Sequence, residues 1–94
     1  MLYVTKDDIN KDFAVLDYDK TEKENILYYF NQYEPCKFTS EPLFDVYTGE
    51  KIKAADNGYS DGKYTWYDSD IYHFEKYNMK LNEDFIDYVR KKIS

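Results

Sequence analysis

Cysteine and histidine occur once each in these 94 residues, proline twice and glycine three times. The lone Cys36 cannot close an internal disulfide, and one cysteine with one histidine makes no zinc cluster. Such sparing use of cysteine suits a reducing compartment. The longest apolar run, residues 26–30, is far too short to cross a membrane. No basic region followed by an apolar stretch opens the chain, so no signal peptide is expected and a cytoplasmic location is. Basic residues are in the minority, 13 against 19 acids, for a net charge of −6. There is no lysine stripe. The one dense basic run, Arg90-Lys91-Lys92, ends an expected helix, where it complements the negative end of the dipole. Nucleic-acid binding requires phosphate neutralisation, so direct contact with nucleic acid is not expected. Any protein partner is expected to be basic.

What the chain has in abundance is aromatic: twelve tyrosines, six phenylalanines and Trp66. Each such ring buries on the order of 150–250 Å². That payload lets a chain poor in Leu and Val fold, and it argues against disorder despite 34% charged residues. The length implies one domain over 1–94, a monomer or weak dimer with one modest core and no deep cavity. The acid excess is concentrated early: residues 1–35 carry eight acids and four lysines, and the rest is nearly balanced.

Local patterns predict an α+β domain in the order β-β-α-β-β-β-α-α, a small antiparallel sheet of four to five strands with three helices. Residues 2–5 are an expected strand. So are 12–19, with Ala14, Leu16 and Tyr18 on one face and Phe13 and Val15 on the other. Thr21 and Glu24 form an expected capping box for a helix to about Tyr33, whose apolar face is Ile26, Tyr29, Phe30 and Tyr33. Pro35 bars its continuation. Residues 43–47 and 51–54 read as a hairpin about Gly49. Asp56-Asn57-Gly58 and Ser60-Asp61-Gly62 read as turns in one loop, and 63–67 as a strand with Tyr64 and Trp66 on one face. Asp68 or Ser69 should cap a helix holding Ile71, Phe74 and Tyr77. Asn82 should cap the last helix, with Leu81 stapled to Ile86 and a buried stripe of Phe85, Ile86, Val89 and Ile93.

Catalytic side chains are few. His73 has Asp70 and Lys76 at helical spacing, which suits an orienting carboxylate for acid–base work and equally an ordinary helix-surface contact. Cys36, between Pro35 and Lys37, reads as a small loop residue. The loop from Asp56 to Asp61 offers oxygens to a cation but lacks the EF-hand ligand order, and turn chemistry explains it as well. No phosphate-cradling glycine loop or nucleophile elbow is present, so no cofactor is expected. More informative is the interleaving of aromatic rings with carboxylates from residue 56 to 77. Tyr64 and Trp66 face one way on a strand and Thr65 and Tyr67 the other, so some rings should be exposed. Exposed tyrosine among carboxylates suits partner contact, and the candidates are Asp56, Tyr59, Asp61, Tyr67, Asp68 and Asp70.

Residues 60–86 carry an aromatic strand (Lys63-Tyr64-Thr65-Trp66-Tyr67), a Phe74-Glu75-Lys76-Tyr77-Asn78 helical stretch and the capped helix at Asn82. This arrangement resembles the tail of small bacterial proteins of the immunity type in polymorphic toxin systems. The resemblance implies a single-domain inhibitor that binds a toxin domain, and it transfers no individual residue role. The acidic charge fits independently, because opposite charge speeds encounter with a basic protein. Two alternatives remain open: an acidic nucleic-acid mimic that blocks a DNA- or RNA-handling protein, or a small enzyme or metal-binding domain using His73 or the Asp56 to Asp61 loop.

Overall fold

Aromatic rings meet where three helices and a central strand converge, and the rest of the architecture follows from that junction. The computed structural model describes residues 2–6 and 8–93; Met1, Asp7 and Ser94, within the expected domain, lie outside the described residues. The elements are β1 (Leu2–Tyr3), α1 (Lys20–Phe30), β2 (Leu43–Phe44), β3 (Lys51–Lys53), β4 (Gly58–Ser60), β5 (Tyr64–Tyr67), α2 (Asp68–Tyr77) and α3 (Glu83–Ile93). This is an α+β fold, as expected, but its five strands form two sheets. One has the order β1-β5-β4, with β1 parallel and β4 antiparallel to β5; the other is the antiparallel ribbon β2-β3. Among the described residues no helix is long and apolar enough to cross a membrane.

Trp66 is fully buried at the junction, 5.2 Å from Phe30 and 6.3 Å from Phe85 between ring centroids. Phe30 and Phe85 stack at 5.5 Å, and Phe74 meets Phe30 edge-on at 6.0 Å. Leu81, Ile86 and Val89 complete the α3 side of this core. Asn82 caps α3 as expected, its side chain accepting from the Asp84 N–H at 3.2 Å. Ile93 departs from the expected stripe: it is exposed near the chain end. Arg90 also does more than face the dipole, reaching Glu22 of α1 at 2.6 and 3.0 Å.

Several local expectations are corrected. Residues 12–19 form no strand. Val15 makes an isolated bridge to Met79, and Val15 and Leu16 are exposed. The stretch has only the short segment after α2 to pair with, through Leu16 N–H to Asn78 and Lys80 N–H to Ala14. Tyr18 is buried and Phe13 half-buried against the core. The Tyr18 hydroxyl donates to the Met79 carbonyl and accepts from the Leu81 N–H, both at 2.9 Å. Asp19, rather than Thr21, caps α1, because its carboxylate reaches the N–H groups of both Thr21 and Glu22. The helix stops at Phe30, before Tyr33: Asn31 is its C-cap, with its N–H on the Leu27 carbonyl, and the Gln32 N–H closes a tighter turn onto the Tyr29 carbonyl. Residues 58–60, expected in a loop, are strand β4. Gly58 is needed for close approach: a Cβ there would lie 3.0 Å from the Tyr67 ring and 3.1 Å from the Lys37 Cβ.

Candidate functional site

The aspartates of the second half of the chain mostly serve the fold. Tyr67 begins the cap of α2 with a side chain that makes no cap hydrogen bond, and neither Asp68 nor Ser69 fills that role. Asp56 supplies it from across the sheet, accepting from the Ser69 N–H and hydroxyl, both at 2.8 Å. Asp68 is buried and turned toward β4. It accepts from the Tyr59 hydroxyl at 2.6 Å and the Asn57 N–H at 3.0 Å, with Lys53 at 3.3 Å. The hydrogen bond to this carboxylate, after burial, pushes the Tyr59 hydroxyl pKa up. Asp70 is buried too, and accepts from the Tyr67 N–H at 2.8 Å. Burial pushes its carboxyl up to about 7, with nearby Asp56 adding to the rise.

Asp61 lies apart from these, at the turn between β4 and β5. It accepts from the N–H groups of Lys63 and Tyr64 and from the Tyr29 hydroxyl. Burial opposes its charge, but those bonds hold its pKa below the usual carboxylate range. With β4 between them, Asp56 and Asp61 do not converge on a common point. Among the described residues no group of three or more His, Cys, Asp or Glu side chains is placed to hold a metal ion.

His73 is fully buried, and both ring nitrogens are engaged. Nδ1 lies 2.8 Å from the Ser69 carbonyl, and the Val46 N–H donates to Nε2 at 3.2 Å. The proton therefore sits on Nδ1, and the ring ties α2 to the chain after β2. Its partners are backbone groups; Asp70 does not orient it. Asp45, next to Val46, is the residue that sequence reasoning missed. It is 1% exposed and accepts from the Tyr72 and Tyr77 hydroxyls and from the N–H groups of Tyr47 and Thr48. Burial opposes its charge, yet the four donors hold its pKa well below the usual carboxylate range. The same bond pushes the Tyr77 hydroxyl up to about 12. Phe13, Tyr47 and Tyr77 pack around this latch, Tyr47 and Tyr77 with centroids 4.7 Å apart.

One surface feature is a groove of about 910 Å³ between the β1-β5-β4 sheet and the β2-β3 ribbon. Tyr3, Phe38 and Phe44 line it, exposed by 55%, 77% and 49%. Of the six expected contact residues it gathers three, Asp56, Tyr67 and Asp70. Asp68, Tyr59 and Asp61 are not among its lining residues. Tyr59 and Tyr67 are half-buried, so the most presented rings at this groove are Phe38, Tyr3 and Phe44 instead. β5 does not divide into a buried and an exposed face, because Tyr64, Thr65 and Trp66 are all buried in a strand flanked on both edges. Phe38 had one legible signal. It stands between Pro35 and Pro42 in a stretch without periodicity, where no element carries it into the core.

Comparison of the chain with protein-family models, with curated proteins and with solved structures finds no match.

Proposed function

We propose that this chain works by binding another protein, as a cytoplasmic monomer or weak dimer, and that it is an immunity-type inhibitor of a basic toxin domain. One observation carries the reading. The groups that chemistry would need are consumed inside the fold, while three aromatic rings stand exposed around one acidic groove. His73 has no nitrogen to spare, and Asp45, Asp61 and Asp68 each accept several internal hydrogen bonds. Rings presented in this way are the side chains that dominate protein interfaces. The net charge of −6 favours a basic partner and a steered encounter. The nucleic-acid mimic draws less support, since it needs carboxylates displayed at phosphate spacing, and several of these are turned inward.

The test is co-expression with a basic toxin domain encoded by a neighbouring gene. The wild-type chain should restore growth and co-purify with the toxin as a defined complex. Unrelieved toxicity with both proteins present and folded would reject the inhibitor reading.

A further inference from the structure

The groove is suited to one kind of occupant, and its lining says which. Its acids are Asp8, Glu41, Asp56 and Asp70, and among the described residues no lysine or arginine lines it. The aromatic rim is also held ready. Phe38 lies on an exposed loop whose backbone is tied on both sides. Lys37 exchanges backbone hydrogen bonds with Gly58 at 3.1 and 2.8 Å. The Thr39 hydroxyl donates to the Asp56 carbonyl at 3.1 Å, and the Asp56 N–H donates to the Glu41 carbonyl at 2.7 Å. A loop whose backbone is already tied loses little backbone freedom when a partner covers its ring. Resting on the protein-binding reading, we infer that this groove receives a segment of a basic protein in which a lysine or arginine lies beside an apolar residue.

The apolar side chain packs on Phe38 and Phe44, and the cation meets the carboxylates of Glu41 and Asp56. A second copy of this chain is a poorer occupant, because each copy carries six negative charges in excess. A purely apolar segment would bury the acidic lining without a counter-charge, which is costly. The surrounding acids also disfavour nucleic acid.

The experiment is selection of a displayed library of random octapeptides on the immobilised chain near physiological salt. Counter-selection uses Phe38→Ser/Glu41→Lys, two exposed positions whose change should leave the melting temperature intact. The expected result is enrichment of peptides that pair Arg or Lys with an apolar neighbour, bound at least tenfold more weakly by the double variant. Enrichment of acidic or purely apolar peptides would overturn the inference. So would equal binding to the double variant, or self-association that blocks selection. The two readings fail separately. Enrichment as expected without relief of toxicity removes the inhibitor reading and leaves the groove. Relief of toxicity that survives the double substitution removes the groove and leaves the inhibitor.

Discussion

Two aromatic regions of this molecule are built from similar side chains and held by different forces. Around Trp66, the rings of Phe30, Phe74 and Phe85 contact one another in a dry core, and among the described residues even the Trp66 Nε1 has no hydrogen-bond partner. Around Asp45, the rings of Tyr72 and Tyr77 are organised by their hydroxyls on one buried carboxylate. The first region is non-directional and depends on shape and buried area. The second is directional and depends on every partner being in place. Tyrosine suits both roles, and this explains how twelve of them fit in so small a chain. Rings that pack inward or bind a carboxylate are used by the fold, and Tyr3, Phe38 and Phe44, which stay exposed, line the groove.

The largest expected effect breaks the dry region. Trp66→Ala should cost about 3–5 kcal/mol, as truncations of buried aromatic residues do. Urea denaturation would show it as a lower midpoint with an unchanged slope, and an unchanged midpoint would refute the assignment of Trp66 as the core anchor.

Asp70 sharpens the comparison through pH. Its folded pKa is raised to about 7 by burial, so between about pH 4 and pH 7 the folded chain keeps a proton that the unfolded chain has released. The stability it contributes is complete below the unfolded value and lost as pH rises through 7. A rise of about three units corresponds to up to roughly 4 kcal/mol. Asp70→Asn should remove this fall and leave the variant more stable than wild type at pH 8. Asp45 and Asp61 act in the opposite sense. Their lowered pKa values add stability above the ordinary carboxylate range, and it is lost as pH falls below that range. Urea midpoints from pH 3 to 8 for wild type and Asp70→Asn would check both limbs.

Tyr18 brings a hydrogen-bonded hydroxyl into the dry region. Tyr18→Phe keeps the ring against Phe74 but strands the Met79 carbonyl and the Leu81 N–H. The expected cost is about 1–3 kcal/mol, read from thermal or urea unfolding. Asp45→Asn should act more locally. It should loosen the β2-β3 ribbon and speed amide exchange over residues 43–53, while exchange of the α3 amides stays near wild type. Equal acceleration everywhere would show that the two regions are one cooperative unit. The smallest effect is expected at Phe38. Phe38→Ser should change stability by less than about 0.5 kcal/mol, because the ring touches solvent rather than the core.

The dry region was largely legible in the sequence. The apolar spacing of Phe85, Ile86 and Val89 and the Asn82 cap mark α3, and a lone tryptophan between a strand and two helices marks the anchor. The directional region was not. Asp45 meets its tyrosines across 27 and 32 residues of chain, and no local pattern encodes such a pairing. Strand β4 was obscured because Asn57-Gly58 has the composition of a turn, whereas the glycine serves close approach to Tyr67 and Lys37. Residues 12–19 alternate like a strand, yet find no full-length neighbour to pair with. Of the expected contact residues, Asp56, Tyr67 and Asp70 do line the groove. The exposed rings beside them were missed because exposure of a loop aromatic depends on how the loop is tethered.

The central claim, that the exposed rings and acids of one groove bind a basic partner, is tested most directly by the rates of complex formation. These can be measured with the toxin domain by surface plasmon resonance at several salt concentrations. Glu41→Lys should slow association and flatten its salt dependence, since charge steers encounter over a screening length of about 8 Å at physiological ionic strength. Phe38→Ser should leave association nearly unchanged and raise dissociation at least tenfold. Wild-type rates in both variants, with melting temperatures also unchanged, would contradict the account.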